Sequence, residues 1–392
     1  MTTVKTQSWK KMRFADFVDT EPKSTLKKDQ EYPFIPMELV DGVSKYPTSY
    51  FKKKFTGGGT RFMDGDTIFA RITPCLENGK IAQIKDLPEN VGFGSTEFFV
   101  FRSKDGVSDK DFIYYLSRTD HVRSPAVKSM VGASGRQRAN KTVIENLEIL
   151  VPPLSEQHDI SKILSVYDTL IENNTRRIHI LEQMAQVIYA EYFATVAEAI
   201  VEKKKLPVGW KAENLYDVAD IKMGYAFKAN QFNEEQRGLR TVRIRDIPSG
   251  VATTYTTEEV NSSYLVKKGD FLIGMDGIFH MNHWQDEDAL LVQRVCRVKP
   301  KSEKMRAYLA LSLVKPVKHF EATLMGATVA HLGSRHLEEV FIAIPDSSFD
   351  QKLEYLNMFL DAKLQYSYQN QALRKTRDLL IPKLVTGEIA VK

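Results

Sequence analysis

The sequence predicts an α+β protein in which two similar mixed α/β domains are separated by two long antiparallel helices forming a coiled coil, related by a pseudo-two-fold axis. Three observations predict this: a heptad seam in mid-chain, a second seam near the end, and a duplication that relates the stretches preceding them.

The first seam runs through Ile160, Leu164, Tyr167, Ile171, Asn174, Ile178, Leu181, Ala185, Ile188 and Tyr192, in unbroken 4,3 spacing. At about 1.5 Å per residue such a helix spans roughly 55 to 60 Å, too long and one-sided for one small domain to cover. An ordinary amphipathic core helix is the alternative, and the second seam argues against it. That seam follows Leu353, Leu356, Leu360, Leu364, then Ser367 and Asn370, then Leu373, Leu380 and Leu384, with Pro382 expected to end or kink the helix. Asn174 interrupts one seam and Ser367 to Asn370 the other. Polar core positions of this kind set register and orientation. The two helices are therefore expected to pack on each other.

The duplication is visible in paired landmarks. Trp9 to Asp19 is echoed by Trp210 to Asp220, and the turn Asp64-Gly65-Asp66 by Lys268-Gly269-Asp270, each followed by a strand-like run. Ser108-Asp109-Lys110 matches Ser302-Glu303-Lys304, and Gly132-Ala133-Ser134 matches Gly326-Ala327-Thr328, both 194 residues apart. Between these marks, Asp111 to Arg123 and Met305 to His319 read as helices. Leu147 to Pro153 and Val340 to Pro345 read as closing strands that lead into the seams, with Ser155 and Asp346 to Ser348 as caps. Such a long period means two homologous domains rather than a solenoid. The boundaries read as 1–153, a helix over 154–200, a linker over 201–209, 210–345, and 346–392.

With 392 residues, 43% hydrophobic and 27% charged, the chain is long enough for two cores. Cys75 and Cys296 stand apart without CxxC spacing, so no disulfide framework or zinc finger is indicated, and a reducing cytoplasm fits best. Met1 to Lys11 has no apolar h-region and no run of 18 apolar residues occurs, so neither a signal peptide nor a membrane span is expected. A net charge of +5 permits nucleic acid without demanding it.

Val151-Pro-Pro-Leu-Ser-Glu-Gln157 before the first seam, Leu206-Pro-Val-Gly-Trp210 opening the second half, Gly65 to Arg71, and Leu379 to Glu388 at the end resemble the specificity subunit of type I restriction-modification systems. The resemblance covers essentially the whole chain in the family's order. It implies a non-catalytic reader of double-stranded DNA, with one target-recognition domain per half of a bipartite, asymmetric site and the helices as a ruler between them. It also implies partners: two modification subunits that carry S-adenosylmethionine and methylate adenine, and restriction subunits that use ATP and Mg. No cofactor is expected in this chain itself. One departure is Ile344-Pro-Asp-Ser-Ser348, where the first half has Pro-Pro-Leu-Ser-Glu-Gln. The recognition subunit of a related system cutting on both sides of its site, and a two-headed adaptor or repressor working without a methyltransferase, stay open as alternatives.

Given that family, several residues are candidates for DNA contact. Lys52, Lys53 and Lys54 lie beside Thr56-Gly57-Gly58-Gly59-Thr60-Arg61, where lysines release counterions and glycines allow close approach to phosphate, although a solvated hairpin tip fits as well. Arg71 follows the Gly65-Asp66 turn. Arg136, Gln137, Arg138, Asn140 and Lys141 form a turn-rich segment able to read bases, or a charged surface turn. Its counterpart offers His331, Ser334, Arg335 and His336. In the second half, Lys222, Tyr225 and Lys228 interleave cations with an aromatic ring, and Arg243 and Arg245 are expected to share one strand face, with ion pairing at that pair or at Arg294 and Arg297 as the alternative.

Enzyme signatures are absent. Gly57-Gly58-Gly59 is followed by Thr-Arg-Phe rather than Gly-Lys-Ser/Thr, so it is no P-loop. Pro152-Pro153 lacks the flanking residues of an adenine methyltransferase motif, no spaced nuclease carboxylates appear, and His280-x-x-His283 has no third ligand in sight.

Overall fold

A computed structural model describes residues 9–133, 135–202, 204–324 and 330–391. Ser134 and Gly326-Ala327-Thr328, part of one predicted repeat pair, lie outside the described residues. The chain divides into two compact units, Met1–Glu172 with Gln371–Lys392, and Asn173–Asn370.

In the first unit, β1 (Lys10–Arg13) leads through α1 (Phe14–Phe17) to β2 (Val18–Asp19), followed by β3 (Glu31–Ile35), β4 (Phe51–Lys54), β5 (Thr60–Met63), β6 (Thr67–Ala70), β7 (Ile81–Gln83), β8 (Val91–Gly94) and β9 (Phe98–Ser103). Then come α2 (Lys110–Arg118), α3 (Asp120–Lys128), α4 (Lys141–Glu145), β10 (Glu148–Val151) and the long helix α5, Leu154–Tyr192. Two four-stranded sheets form, in orders β2-β9-β6-β7 and β4-β3-β8-β5, and β1 pairs antiparallel with β10. Phe14, Phe17, Phe101 and Phe112 fill the core with Ile160 and Leu164 of α5.

The second unit repeats this plan with α6 (Ala194–Val201), β11 (Trp210–Asn214), α7 (Leu215–Val218), β12 (Ala219–Met223), β13 (Phe232–Asn233), β14 (Leu239–Val242), β15 (Tyr255–Thr256), β16 (Leu265–Val266), β17 (Phe271–Gly274) and β18 (Met281–His283). It closes with β19 (Ala289–Leu291), β20 (Val295–Pro300), α8 (Arg306–Leu324), α9 (Ser334–Glu338), β21 (Phe341–Pro345) and the long helix α10, Asp350–Val385. Its sheets run β12-β20-β17-β18 and β13-β15-β14-β19-β16, and β11 pairs with β21. The duplication therefore extends to strand order. A parallel strand pairing recurs too, as β3 with β8 and β14 with β19. At the predicted turns, Gly65 and Gly269 have φ of 90° and 86°, and Asp66 and Asp270 each accept the N–H three residues earlier. A side chain at either glycine would meet the left-handed penalty, which explains Gly at both places.

The long helices form because α5 contains no Pro or Gly and α10 contains only Pro382. Their pairing is antiparallel within each unit. In the second, Glu182 bonds Lys363, Arg177 bonds Tyr366 and Asn174 bonds Gln369, so one number falls as the other rises. In the first, Ile160 and Leu164 share a core with Ile381, Leu384 and Val385. Ile171 and Asn174 are buried, as are Leu353, Leu356, Leu360 and Leu364, while Tyr167, Ile178, Leu181, Ile188, Leu373 and Leu380 are half-buried. The two polar breaks meet: Asn174 Nδ2 donates to Gln369 Oε1 at 3.3 Å and Asn370 Nδ2 to Thr175 Oγ1 at 3.2 Å.

Several local expectations need correction. Helix α10 runs through Pro382 to Val385, because a proline so near the end costs one hydrogen bond and its own carbonyl is taken by Thr386. Ser155 lies inside the first turn of α5, which begins at Leu154. The first short helix is two helices broken at Thr119, whose extended backbone ends α2. Position 377, between Leu373 and Leu380, carries the most buried charge of the seam: Arg377 is 0% exposed and bonds Asp168 of α5.

Candidate nucleic-acid interface

In the first unit, the predicted residues come together from distant segments. Among the described residues strand β4 pairs only with β3, and β5 with β8, so Lys52, Lys53 and Lys54 stand on an exposed edge strand rather than at a hairpin tip. Lys53 Nζ lies 4.1 Å from the centre of the Phe34 ring and Lys54 pairs with Asp29 at 3.2 Å. Such edge lysines also block pairing with another chain. Gly59 has φ of 96° and a Cβ there would lie 2.8 Å from the Gly94 carbonyl oxygen, whereas Gly57 and Gly58 face open space.

On one side of this loop, Lys53, Lys54, Gly58 and Gly59 line a depression of about 380 Å³. On the other, Lys23, Gly59, Arg61, Arg71 and Lys141 line a larger one of about 660 Å³, in which Glu21 supplies an acid. Gly59 borders both. Arg61 lies over Phe55 and reaches the Ser24 carbonyl, and Lys141 at the start of α4 pairs with Glu21 at 2.8 Å. Val131 and Arg138 exchange paired backbone hydrogen bonds, and Asn140 caps α4. Arg136 is exposed and Gln137 half-buried. Arg138 donates to Glu97 at 2.7 Å, and Arg71 donates to the same carboxylate at 3.2 Å. Arg138, followed by Arg71, holds the Glu97 carboxyl below the usual carboxylate range.

In the second unit, cations gather around an aromatic row. Lys222 Nζ lies 4.0 Å from the centre of the Tyr264 ring, which contacts Tyr225; Tyr225 contacts Phe227, Phe227 contacts Phe232, and Arg243 lies over Phe232. Lys228 is exposed beside this row. Arg243 and Arg245 do not share a strand face. Strand β14 stops at Val242 because Asp246 accepts the Arg243 N–H and turns the chain into a short 3-10 helix. Arg245 bonds Thr254 instead. Arg294 and Arg297 are paired with Asp276 and Asp270. Arg335 is exposed on α9, while His336 accepts the Gly333 N–H and packs beside Phe320. His283 is buried against Phe271.

Residue patterning missed Lys23, Glu97, Asp276 and the role of His331, and named Arg294 only as an ion-pair alternative, which its pairing with Asp276 matches. For Glu97 a signal existed, since Glu97 and Arg294 each stand one residue before equivalent strands.

No helix among the described residues is long and apolar enough to cross a membrane. The sequence matches the family described as type I restriction modification DNA specificity domain twice, over residues 7–183 and 207–361. It is 25% identical over 420 residues to the MjaVIII specificity subunit of Methanocaldococcus jannaschii, covering 98% of this chain and 94% of that one. To the EcoBI specificity subunit of Escherichia coli it is 31% identical over 186 residues, 46% of this chain and 39% of that one. The crystal structure of the type I S subunit from M. genitalium has the same fold, with a TM-score of 0.54 at 17% identity over 98% of both chains. With both halves matched, the chain belongs to the type I restriction-modification DNA specificity family.

Proposed function

We propose that this chain is the sequence-recognition subunit of a type I restriction-modification complex, acting in the cytoplasm and reading a bipartite, asymmetric site with one unit per half-site. The observation that carries this is a duplicated fold whose two copies present basic side chains at different places. In the first unit they are Lys52, Lys53, Lys54, Arg61, Arg71, Arg136 and Lys141, and in the second Lys222, Lys228, Arg243 and Arg294. Lysines on the open edge supply sequence-independent affinity, and the arginines and the turn residues supply discrimination.

The chain does no chemistry of its own; partner subunits, with S-adenosylmethionine, ATP and Mg, methylate adenine or cleave. The long helices offer those partners a seat. Besides its buried seam, α5 has a second 3,4-spaced stripe that faces outward: Ile163, Val166 and Leu170 in the first unit and Ile180, Met184 and Val187 in the second, 37% to 63% exposed. Large exposed apolar side chains at heptad spacing mark a helix face awaiting another helix. Two modification subunits, one on each stretch, account for both. In this reading the long helices fix the gap between half-sites.

Methylome sequencing of cells with and without this chain, the modification partner being present in both, tests the reading. A bipartite adenine-methylated motif that disappears with the chain supports it. An unchanged methylome sinks it and favours the two-headed adaptor.

A further inference from the structure

Three segments meet at one junction in each unit, and the backbone makes the same hydrogen bonds there. In the first, Arg71 N–H donates to the Glu97 carbonyl at 3.0 Å and Ala139 N–H to the Arg71 carbonyl at 2.7 Å, with Ile72 bridged to Arg138. In the second, Met275 N–H donates to the Arg294 carbonyl and Leu332 N–H to the Met275 carbonyl, both at 2.8 Å, with Asp276 bridged to His331. Glu97 thus occupies the place of Arg294, Arg138 that of His331, and Ile72 that of Asp276.

The side chains permute while the device stays. In the first unit the acid stands before β9, and Glu97 accepts from Arg71 Nε at 3.2 Å and from Arg138 Nη2 at 2.7 Å. In the second the acid stands after β17, and Asp276 holds Arg294 Nε at 3.5 Å and His331 Nδ1 at 2.6 Å. The acids lie deeper than the side chains they hold: Glu97 is 19% exposed beneath Arg138 at 46%, and Asp276 is 32% exposed beneath Arg294 at 51% and His331 at 43%. Half-exposed ion pairs add little to stability, so folding alone is a weak reason to build this twice.

Guanidinium geometry suggests another reason. Arg138 spends its Nε and Nη2 edge on Glu97, and its Nη1 makes no hydrogen bond among the described residues. A guanidinium gripped on one edge has little freedom left, and its other edge is a fixed fork matching guanine O6 and N7. We propose that Glu97 and Asp276 are positioning residues for DNA reading, each holding a pair of side chains, Arg71 with Arg138 and Arg294 with His331, whose remaining N–H groups meet the purine edges of that unit's half-site. This rests on the function proposed above.

The test is the methylated motif produced in cells by the full chain with its modification partner, for wild type, Glu97→Gln and Asp276→Asn. Each variant is expected to lose roughly tenfold in discrimination at one or two positions of one half-site, a different half for each, with the opposite half-site read as before. A purely structural role would weaken reading of the whole half-site rather than relax one or two positions of it. Both variants methylating the wild-type motif with unchanged selectivity would overturn the proposal. Should Glu97→Gln abolish methylation, Arg138→Lys on the exposed turn decides, a relaxed half-site supporting the proposal and an unchanged one overturning it. A wild-type chain that directs no bipartite motif overturns the function itself, a result distinguishable from either.

Discussion

Replacing Arg377 by Met should cost the first unit about 3–5 kcal/mol, the range for removing one partner of a buried ion pair. Arg377 is 0% exposed, and its guanidinium donates to Asp168 Oδ1 at 2.5 Å and to the Val43 carbonyl at 3.0 Å. Asp168, 5% exposed, also accepts the Tyr115 hydroxyl at 2.5 Å. Tyr115 in turn lies 3.3 Å from Lys45 Nζ, which pairs with Asp111 at 2.6 Å. Asp168 holds the Arg377 guanidinium charged despite burial, which by itself opposes the charge. Without the arginine, Asp168 keeps a hydroxyl donor and no countercharge. The Arg377→Met, Asp168→Leu double variant removes both charges and should recover most of the loss, since apolar replacement of a whole buried pair is often neutral. Tyr115 then keeps Ser165 at 3.3 Å.

Hydrogen exchange of the full chain reads this directly, with α2 reporting on the first unit and α8 serving as an internal reference. At about 2–4 °C per kcal/mol for a unit of this size, the single variant should also lower the first unit's melting temperature by about 10 °C. A single variant within about 1 kcal/mol of wild type, or a double variant less stable than the single, would refute the reasoning.

Other predictions concern glycine, salt and pH. Gly224→Ala should cost about 1–3 kcal/mol by overpacking, because its Cβ would lie 2.0 Å from the Val292 carbonyl oxygen; Gly58→Ala, in open space, should be silent in the same urea titration. Changing Lys52, Lys53 and Lys54 to Gln should flatten the dependence of log binding constant on log salt by about 0.9 for each phosphate no longer neutralised, leaving the methylated motif unaltered; an unchanged slope removes them from the interface. Burial, helped by Lys363 and Arg306, pushes the His283 pKa down to about 3, below the unfolded value near 6.5. The unfolded chain therefore binds the extra proton between these values, and the second unit should lose stability as pH falls through that window, by roughly 2 kcal/mol at pH 5. His283→Gln should flatten the profile, and an equally steep one would assign the loss elsewhere.

The parts of this protein legible in its sequence are those whose physics repeats at fixed spacing. A seam must return every three or four residues, so Ile160 to Ile188 announced a helix pair, and the polar positions Asn174 and Asn370 stood out against it. Identical residues at Trp9 and Trp210, and at Gly65 and Gly269, exposed the duplication because a turn with positive φ needs glycine in both copies. Arg377 escaped for the converse reason. Its partner Asp168 is 209 residues away, and hydrophobic patterning steps over a charge to the half-buried leucines beside it. The junction of Glu97, Arg71 and Arg138 was hidden more deeply, since three segments assemble it and its acid changes strand between copies. Matching like with like finds the scaffold in a duplicated protein. A reader of two different half-sites must differ where it reads, so its discriminating residues are to be sought at positions that share backbone hydrogen bonds and disagree in side chain, as Glu97 and Arg294 do.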